Sequence, residues 1–392
     1  MPKRESGQGR LRSAGRVAAI GALLACVLCF AACAAGGAGG AGEAAGASSQ
    51  GSAQGAAVTV TDMLGRTVEV PEEAERVIGI GSSALRYLAY LEAIDKVVGV
   101  EQSELEDSVA CSYRHVYHEA FADLPVIGDA GSNGTTPNAE AILQVAPDAI
   151  FANVDADTAN ALQERTGIPV VCTTITDAIF DEELYENLTL MGSIVGADER
   201  AEELVAYLRQ AADDLSARTE GISDAERKSA YAAGITFRGG HGFAGTEAGF
   251  APFALTGVAN IADGQGAEVC FDIDLEAVAA AQPDFIFIES GNLSLVAQDY
   301  ANNPGFFETL EAVRAGNVFT LIPYRFYATN IELALANCYQ VGCMVYPDRF
   351  ADVDPTEKLD EITEVFLGTA LSDDLAAQGY VFESVDLASQ QG

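Results

Sequence analysis

Three arginines of an arginine-poor chain fall in segments dense in aromatic residues and glycine. Arg114 lies in Cys111-Ser-Tyr-Arg-His-Val-Tyr-His118, Arg238 opens Arg238-Gly-Gly-His-Gly-Phe243, and Arg325 sits inside Pro323-Tyr-Arg-Phe-Tyr327. A guanidinium presents a rigid fork of N–H donors that pairs two at a time with anionic oxygens. Tyr113, Tyr117, Tyr324 and Tyr327 add flat apolar faces with a hydroxyl at the rim, and Phe243 adds a face alone. All three histidines, His115, His118 and His241, fall in the same segments. His115 and His118 share one short stretch with Cys111 and could ligate a metal directly. A bare-ion site, however, wants a compact set of three or four ligands, and the chain offers no second cluster beyond His241. The pattern therefore points to recognition of a small ligand, and no enzyme is expected. Gly79-Ile-Gly-Ser-Ser83 is not the nucleophile elbow of a serine hydrolase. The alternative from another class is a dinucleotide enzyme, because Gly240-His-Gly-Phe-Ala-Gly245 fits G-x-G-x-x-G after a strand, with Asp263 at a suitable remove for a ribose contact. Against it, Pro252 interrupts the segment where a regular helix would have to hold the pyrophosphate.

The elements that must position these residues come in two similar sets. Asn138-Ala-Glu-Ala-Ile-Leu-Gln-Val-Ala-Pro-Asp148 precedes the apolar run from Ala149, and Asp274-Leu-Glu-Ala-Val-Ala-Ala-Ala-Gln-Pro-Asp284 precedes the run from Phe285. Each reads as a cap residue, a short helix opened by Glu140 or Glu276, a Pro-Asp stop and a buried strand. Between them, Asp181 to Gly221 carries apolar residues at helical spacing, with Gly196 as a C-cap and Asp198 as the next N-cap. Its second half would span roughly 32 Å, about the width of a small domain. Ahead of the first set, Val58 to Val70 reads as a hairpin turning at Gly65. Val77 to Ile80, Ser83 to Ala93 and Val97 to Val100 then read as strand, helix and strand, which implies parallel pairing. Glu101 to Thr136 shows weak periodicity and reads as a long functional loop. After the joining helix come strands at Ser229 to Phe237, Phe285 to Ile288 and Val318 to Ile322, a helix from Asn330 to Met344, and an acidic remainder whose helix at Pro355 to Leu367 is expected on the second lobe's surface. The fold class expected is α/β: two α/β lobes with parallel or mixed central sheets, residues 58–180 and 222–392, joined by a long helix at 181–221.

The N-terminus belongs to neither lobe. Five basic residues up to Arg16 precede an almost wholly apolar Val17 to Ala32, and small residues stand before Cys33. Residues 1–32 are a secretory signal by this pattern, too short for a comfortable transmembrane span. Residues 33–57, rich in Gly, Ala and Ser, read as a flexible tether. Removing the signal leaves 16 basic against 57 acidic residues, a balance of −41, which disfavours nucleic acid and anionic lipid surfaces as partners. Beyond Cys33 lie Cys111, Cys172, Cys270, Cys338 and Cys343, an odd number, and no disulfide is assigned.

Taken together, Asp62-Met-Leu-Gly-Arg66 through Pro71, the two Glu…Pro-Asp helices and the ending Tyr346-Pro-Asp-Arg-Phe-Ala-Asp-Val-Asp-Pro355 resemble the substrate-binding lipoproteins of bacterial ABC importers for ferric siderophores, haem and cobalamin, over roughly residues 58 to 368. The resemblance implies a ligand cleft between the lobes, lined by loops at the strands' carboxyl ends: Tyr113, Arg114, His115, Tyr117 and His118 from the first lobe, with Arg238, His241, Phe243, Tyr324, Arg325 and Tyr327 from the second. It implies docking of Glu140 and Glu276 on a permease homodimer or heterodimer that works with an ATPase. It also implies lipidation at Cys33, preferred over Cys26 because Cys26 would cut the apolar region short, and hence anchoring on the outer face of the cytoplasmic membrane. The arginines favour an anionic ferric chelate as ligand, with haem, cobalamin or a free metal ion as alternatives. No cofactor is expected, and the chain is expected to be a monomer. A scavenger acting without a permease is a further reading.

Overall fold

The computed structural model describes residues 57–131, 134–266, 268–326 and 328–390. The signal, Cys33, the tether up to residue 56 and Tyr327 lie outside the described residues. The fold opens on the hairpin β1 (Ala57–Thr61) and β2 (Thr67–Pro71), paired antiparallel with Val60 opposite Val68. Gly65 takes φ 75° in its turn, a conformation that glycine adopts without strain. Asp62 fixes the turn by accepting the backbone N–H groups of Leu64 and Arg66, and its other carboxylate oxygen takes the Cys172 N–H at 3.0 Å.

The first lobe continues with β3 (Val77–Ile80), α1 (Ala84–Tyr90), β4 (Val100–Glu101), α2 (Ser112–Ala122), β5 (Val126–Gly131), β6 (Gly134–Pro137), α3 (Ala139–Val145), β7 (Ala149–Ala152), α4 (Ala156–Thr166) and β8 (Val170–Cys172). The apolar runs of β3, β7 and β8 are buried along their whole length and pair in parallel, as strands covered on both faces do. A parallel bridge between Val77 and Val97 leads to β4, which pairs with β5, and β5 pairs antiparallel with β6. The expected long loop from Glu101 is thus largely regular. α2 escapes a periodicity reading because its buried residues are Ser112, Tyr113 and Arg114 at its start, partnered by Glu332 and Glu104, with Phe121 alone further on.

α5 (Glu182–Val195) ends at Gly196, and α6 (Asp198–Thr219) begins after Ala197, so Asp198 is the first helical residue and not the cap. The break reverses the chain: Arg209 on α6 pairs with Glu182 on α5, and a Cβ added at Gly192 would lie 2.9 Å from the Ala201 Cβ. α6 alone, 22 residues or about 33 Å long, therefore runs from one lobe to the other. At its start, Arg200 donates to the Tyr90 carbonyl of α1 at 3.0 Å. At its end, Arg349 donates to the carbonyls of Arg218 and Glu220, satisfying groups that a helix terminus leaves open.

The second lobe comprises β9 (Ser229–Ala233), β10 (Gly245–Glu247), α7 (Ala251–Ala254), β11 (Ala259–Asn260), β12 (Cys270–Asp272), α8 (Leu275–Ala281), β13 (Phe285–Glu289), α9 (Leu293–Asn302), α10 (Pro304–Phe307), α11 (Glu311–Ala315), β14 (Val318–Leu321), β15 (Arg325–Phe326) and β16 (Ala328–Thr329). Its sheet is parallel in the order β11-β9-β13-β14. α12 (Ile331–Val345) is buried almost throughout and packs on α7 and on α13 (Pro355–Leu367), ahead of α14 (Ser372–Ala377). α13 packs on α12, as expected, and also reaches the first lobe, where Phe366 meets the ring of Tyr90 in α1 edge-on at 5.0 Å. The chain then covers the free edge of β14, where the Thr320 N–H donates to the Glu383 carbonyl and the Val385 N–H to the Val318 carbonyl.

Candidate functional site: the cleft between the lobes

The site grows from the carboxyl ends of the two sheets. In the first lobe, Glu101 ends β4 and accepts the Gly81 N–H, just past β3, at 2.7 Å, together with the Thr135 hydroxyl. Glu104 follows and takes Arg114 in a two-pronged pair, Nε at 2.8 Å and Nη2 at 3.0 Å, with the Tyr113 hydroxyl at 2.7 Å. In the second lobe, Glu289 ends β13 and accepts the Thr236 hydroxyl. Glu247 in β10 holds Arg325 through Nε at 3.0 Å and Nη2 at 2.6 Å. Burial pushes the Glu101 and Glu247 carboxyls above their usual range and Glu289 up to about 7.

The hairpin of β15 and β16 joins the two sides. Arg325 reaches Asp177 of the first lobe at 3.3 Å, and Asp177 also accepts the Thr329 hydroxyl at 2.9 Å. Arg86, the one charge in the apolar helix α1, donates to the Phe326 carbonyl at 3.0 Å and lies 5.1 Å from the Tyr113 ring centre, a cation–π distance. Asn330, at the start of α12, donates to the carbonyls of Ala110 and Tyr324, one on each side. Glu332, in the first turn, accepts hydroxyls from Tyr90 and Ser112 of the first lobe.

Of the expected ligand contacts, the structure brings Tyr113, Arg114, Tyr324 and Arg325 to this seam. His115 lies at its edge, with Nδ1 2.8 Å from Asp107 and Nε2 3.4 Å from Asp374, beside a cavity of about 270 Å³. Tyr117 and His118 stand on later turns of α2, and Tyr117 lines a separate groove with Ile94, Leu124 and Leu367. Arg238, in a loop at φ 52°, has a side chain 86% exposed. His241 is stacked on Phe237 with centroids 3.7 Å apart, its two nitrogens meeting Asp272 and the Phe237 carbonyl, and Phe243 is wholly buried among Tyr231, Phe306 and Phe307. The phenylalanine is thus a core residue of the second lobe. The glycine loop from Gly240 passes directly into β10, so no helix follows it to hold a pyrophosphate.

The two candidate docking helices match closely. Asn138 accepts the Glu140 N–H at 3.1 Å, and Asp274 accepts the Glu276 N–H at 2.9 Å. Both helices end in a left-handed residue, Ala146 (φ 44°) and Gln282 (φ 45°). In each Pro-Asp stop the aspartate accepts the N–H at the approach to a neighbouring strand: Asp148 from Arg76, Asp284 from Ser229. Glu140 and Glu276 are both exposed.

The profile of the family described as periplasmic binding protein matches residues 82–324. The chain belongs to that family. The molybdate-binding protein MolA of Haemophilus influenzae is 23% identical to this periplasmic binding protein over 342 residues, 81% of this chain and 93% of its own. The molybdate-bound MolA structure superposes with a TM-score of 0.61 at 20% identity, covering 80% of this chain and 98% of that one. The TroA-like periplasmic binding protein FepB of Veillonella parvula gives a TM-score of 0.64 at 22% identity, over 84% of this chain and 99% of that one. An uncharacterized ABC transporter substrate-binding lipoprotein of Bacillus subtilis, YvrC, is 23% identical over 176 residues, 44% of this chain, and the match spans about half of YvrC, 51%. The structural likenesses establish the two-lobe fold. Among the described residues no helix is long and apolar enough to cross a membrane.

Sequence reasoning found the buried Arg114 but passed over six other buried charges of the periplasmic binding protein: Arg86, Glu101, Glu104, Glu247, Glu289 and Glu332. A signal for some of them exists. Glu289 closes the apolar run Phe285 to Ile288, Glu101 follows Val100, and Arg86 stands alone among apolar residues in α1, and a charge at the carboxyl end of a buried strand is costly unless it is used.

Proposed function

We propose that this chain is the extracytoplasmic, lipid-anchored substrate-binding component of an ABC importer. It captures a metal chelate of the ferric siderophore kind between its lobes and delivers it to a permease, with Glu140 and Glu276 as the docking points and Cys33 as the anchor. The observation that carries the reading is the seam itself: residues after the strands' carboxyl ends in both lobes meet there, which is where open α/β sheets bind ligands. The relatives add support, since MolA is a molybdate-binding protein and YvrC bears the name of an ABC substrate-binding lipoprotein. A chelate suits the seam better than a bare ion, because His115 and His241 already spend both ring nitrogens on neighbours. The chain binds and releases its ligand without turnover in this reading. Thermal unfolding of the full chain with ferric siderophores, haem, cobalamin and molybdate tests it, since a specific ligand raises the midpoint by mass action. A ferric chelate is expected to raise the midpoint and to be recovered unchanged. Protection by none of these, or chemical conversion of the chelate, would overturn it.

A further inference from the structure

The charges along the seam do not balance. Arg114 is neutralised by Glu104, and Arg325 by Glu247 with Asp177 beyond it. Arg86 lies within electrostatic reach of Glu332. Glu101 and Glu289 form no ion pair among the described residues, although Glu101 feels the charge of Arg114 and Glu289 that of Arg325. They are 1% and 3% exposed, each at the carboxyl end of a strand, one in each lobe. Among the described residues neither has a cationic group within 4.0 Å. Each is held instead by a threonine hydroxyl, Thr135 or Thr236, and Glu289 also by the Asn292 amide at 3.4 Å.

A second observation concerns the polar groups next to these carboxylates. The Tyr324 hydroxyl makes no well-aligned hydrogen bond among the described residues although Tyr324 is 3% exposed; the Arg325 guanidinium stands beside it, and it feels the charges of Glu247, Arg325 and Glu289. Ser290, next to Glu289, and Ser103, two residues past Glu101, also carry buried hydroxyls without partners among the described residues. A buried polar group left unpaired is destabilising, and a ligand supplying the missing partner would offset that cost. A polar, donor-bearing ligand fits these groups.

Resting on the chelate reading above, we propose that the seam selects a ligand carrying positive charge, such as a ferric chelate with a free ammonium arm received between Glu101 and Glu289. The formal charge of the whole chain, −37, acts in the same direction by drawing cations toward it and repelling anions. Burial pushes Glu289 up to about 7, and an arriving cation would favour its ionised form. Arg114 and Arg325 are already engaged, so an anionic chelate would have to break their buried ion pairs with Glu104 and Glu247 and leave those carboxylates unpaired, while Arg86, in no ion pair among the described residues, donates to the Phe326 carbonyl.

Isothermal titration of the full chain decides the matter with three probes: a linear ferric trihydroxamate bearing one terminal ammonium, the same chelate N-acetylated, and a ferric triscatecholate. The ammonium form is expected to bind most tightly, the acetylated form about tenfold more weakly, and the anionic triscatecholate most weakly. Glu289→Gln is expected to remove most of the difference between the first two, and Glu101→Gln carries the same test should the first variant fail to fold. Tightest binding of the triscatecholate, or no effect of acetylation, would overturn the charge inference while leaving the chelate reading in place. Binding of none of the three would overturn both, and the thermal panel detects that outcome independently.

Discussion

Glu289 ends an apolar strand and is buried, with its side-chain donors converging on one carboxylate oxygen. Burial raises its ionisation from the usual 4.5 to about 7; the Thr236 hydroxyl and Arg325 oppose the shift, and Glu247 adds to it. A carboxyl that holds its proton more tightly when folded takes up protons on folding between those two values. Its contribution is full below pH 4.5 and is lost as pH rises through about 7. Glu289→Gln is expected to flatten this decline, so that the variant exceeds the parent chain above pH 7 by on the order of 1–3 kcal/mol. Urea denaturation over a pH series checks it, and parallel pH profiles for the two proteins would contradict it. Which residues do this work was only partly legible in the sequence. Tyr113, Arg114, Tyr324 and Arg325 stood out by type and neighbourhood, and the structure brings them to the seam. Their charge partners did not stand out, because Arg325 meets Glu247 across 78 positions of chain and Asp177 from the other lobe. Spacing along the chain cannot express such pairings. Arg238 shows the converse, since a glycine-rich neighbourhood marks a loop but not which way its side chain faces.

At the scale of elements, the two Glu…Pro-Asp units were readable because each of their signals is local: a capping side chain, a first-turn acid, a proline stop and an apolar strand. α2 was not, because besides Phe121 its buried residues are Ser112, Tyr113 and Arg114, the last closed by its pair with Glu104. The C-terminal chain carries a different lesson. Its residues from Val381 hydrogen-bond to β14, and Val385 and Leu387 are buried in the second lobe's core. A bare strand edge is a template for pairing with other chains. Removing the chain from Val381 onward is expected to lower the thermal midpoint by several degrees and to promote self-association. Calorimetry and size-exclusion chromatography would show both, and a truncated protein that melts and elutes like the parent would contradict the role.

Across the whole molecule, α6 ties both lobes to one rigid element, anchored by Arg200 near α1 and capped by Arg349 at the far end. One core of buried side chains runs from α1 through α6 into α12 and α13. The lobes therefore share packing as well as a connecting helix, and Glu140 and Glu276 sit on matched helices of that common frame. In the proposed function that frame presents both glutamates to a permease together, so each matters to delivery and neither to capture. The most direct test is uptake of a ferric chelate by cells that make this chain with a permease and an ATPase, comparing the parent with the double variant Glu140→Ala, Glu276→Ala. The account predicts that import falls at least about tenfold, the loss of two charge-assisted contacts, while chelate affinity of the purified double variant is unchanged. Import at the parental rate with unchanged affinity would contradict it.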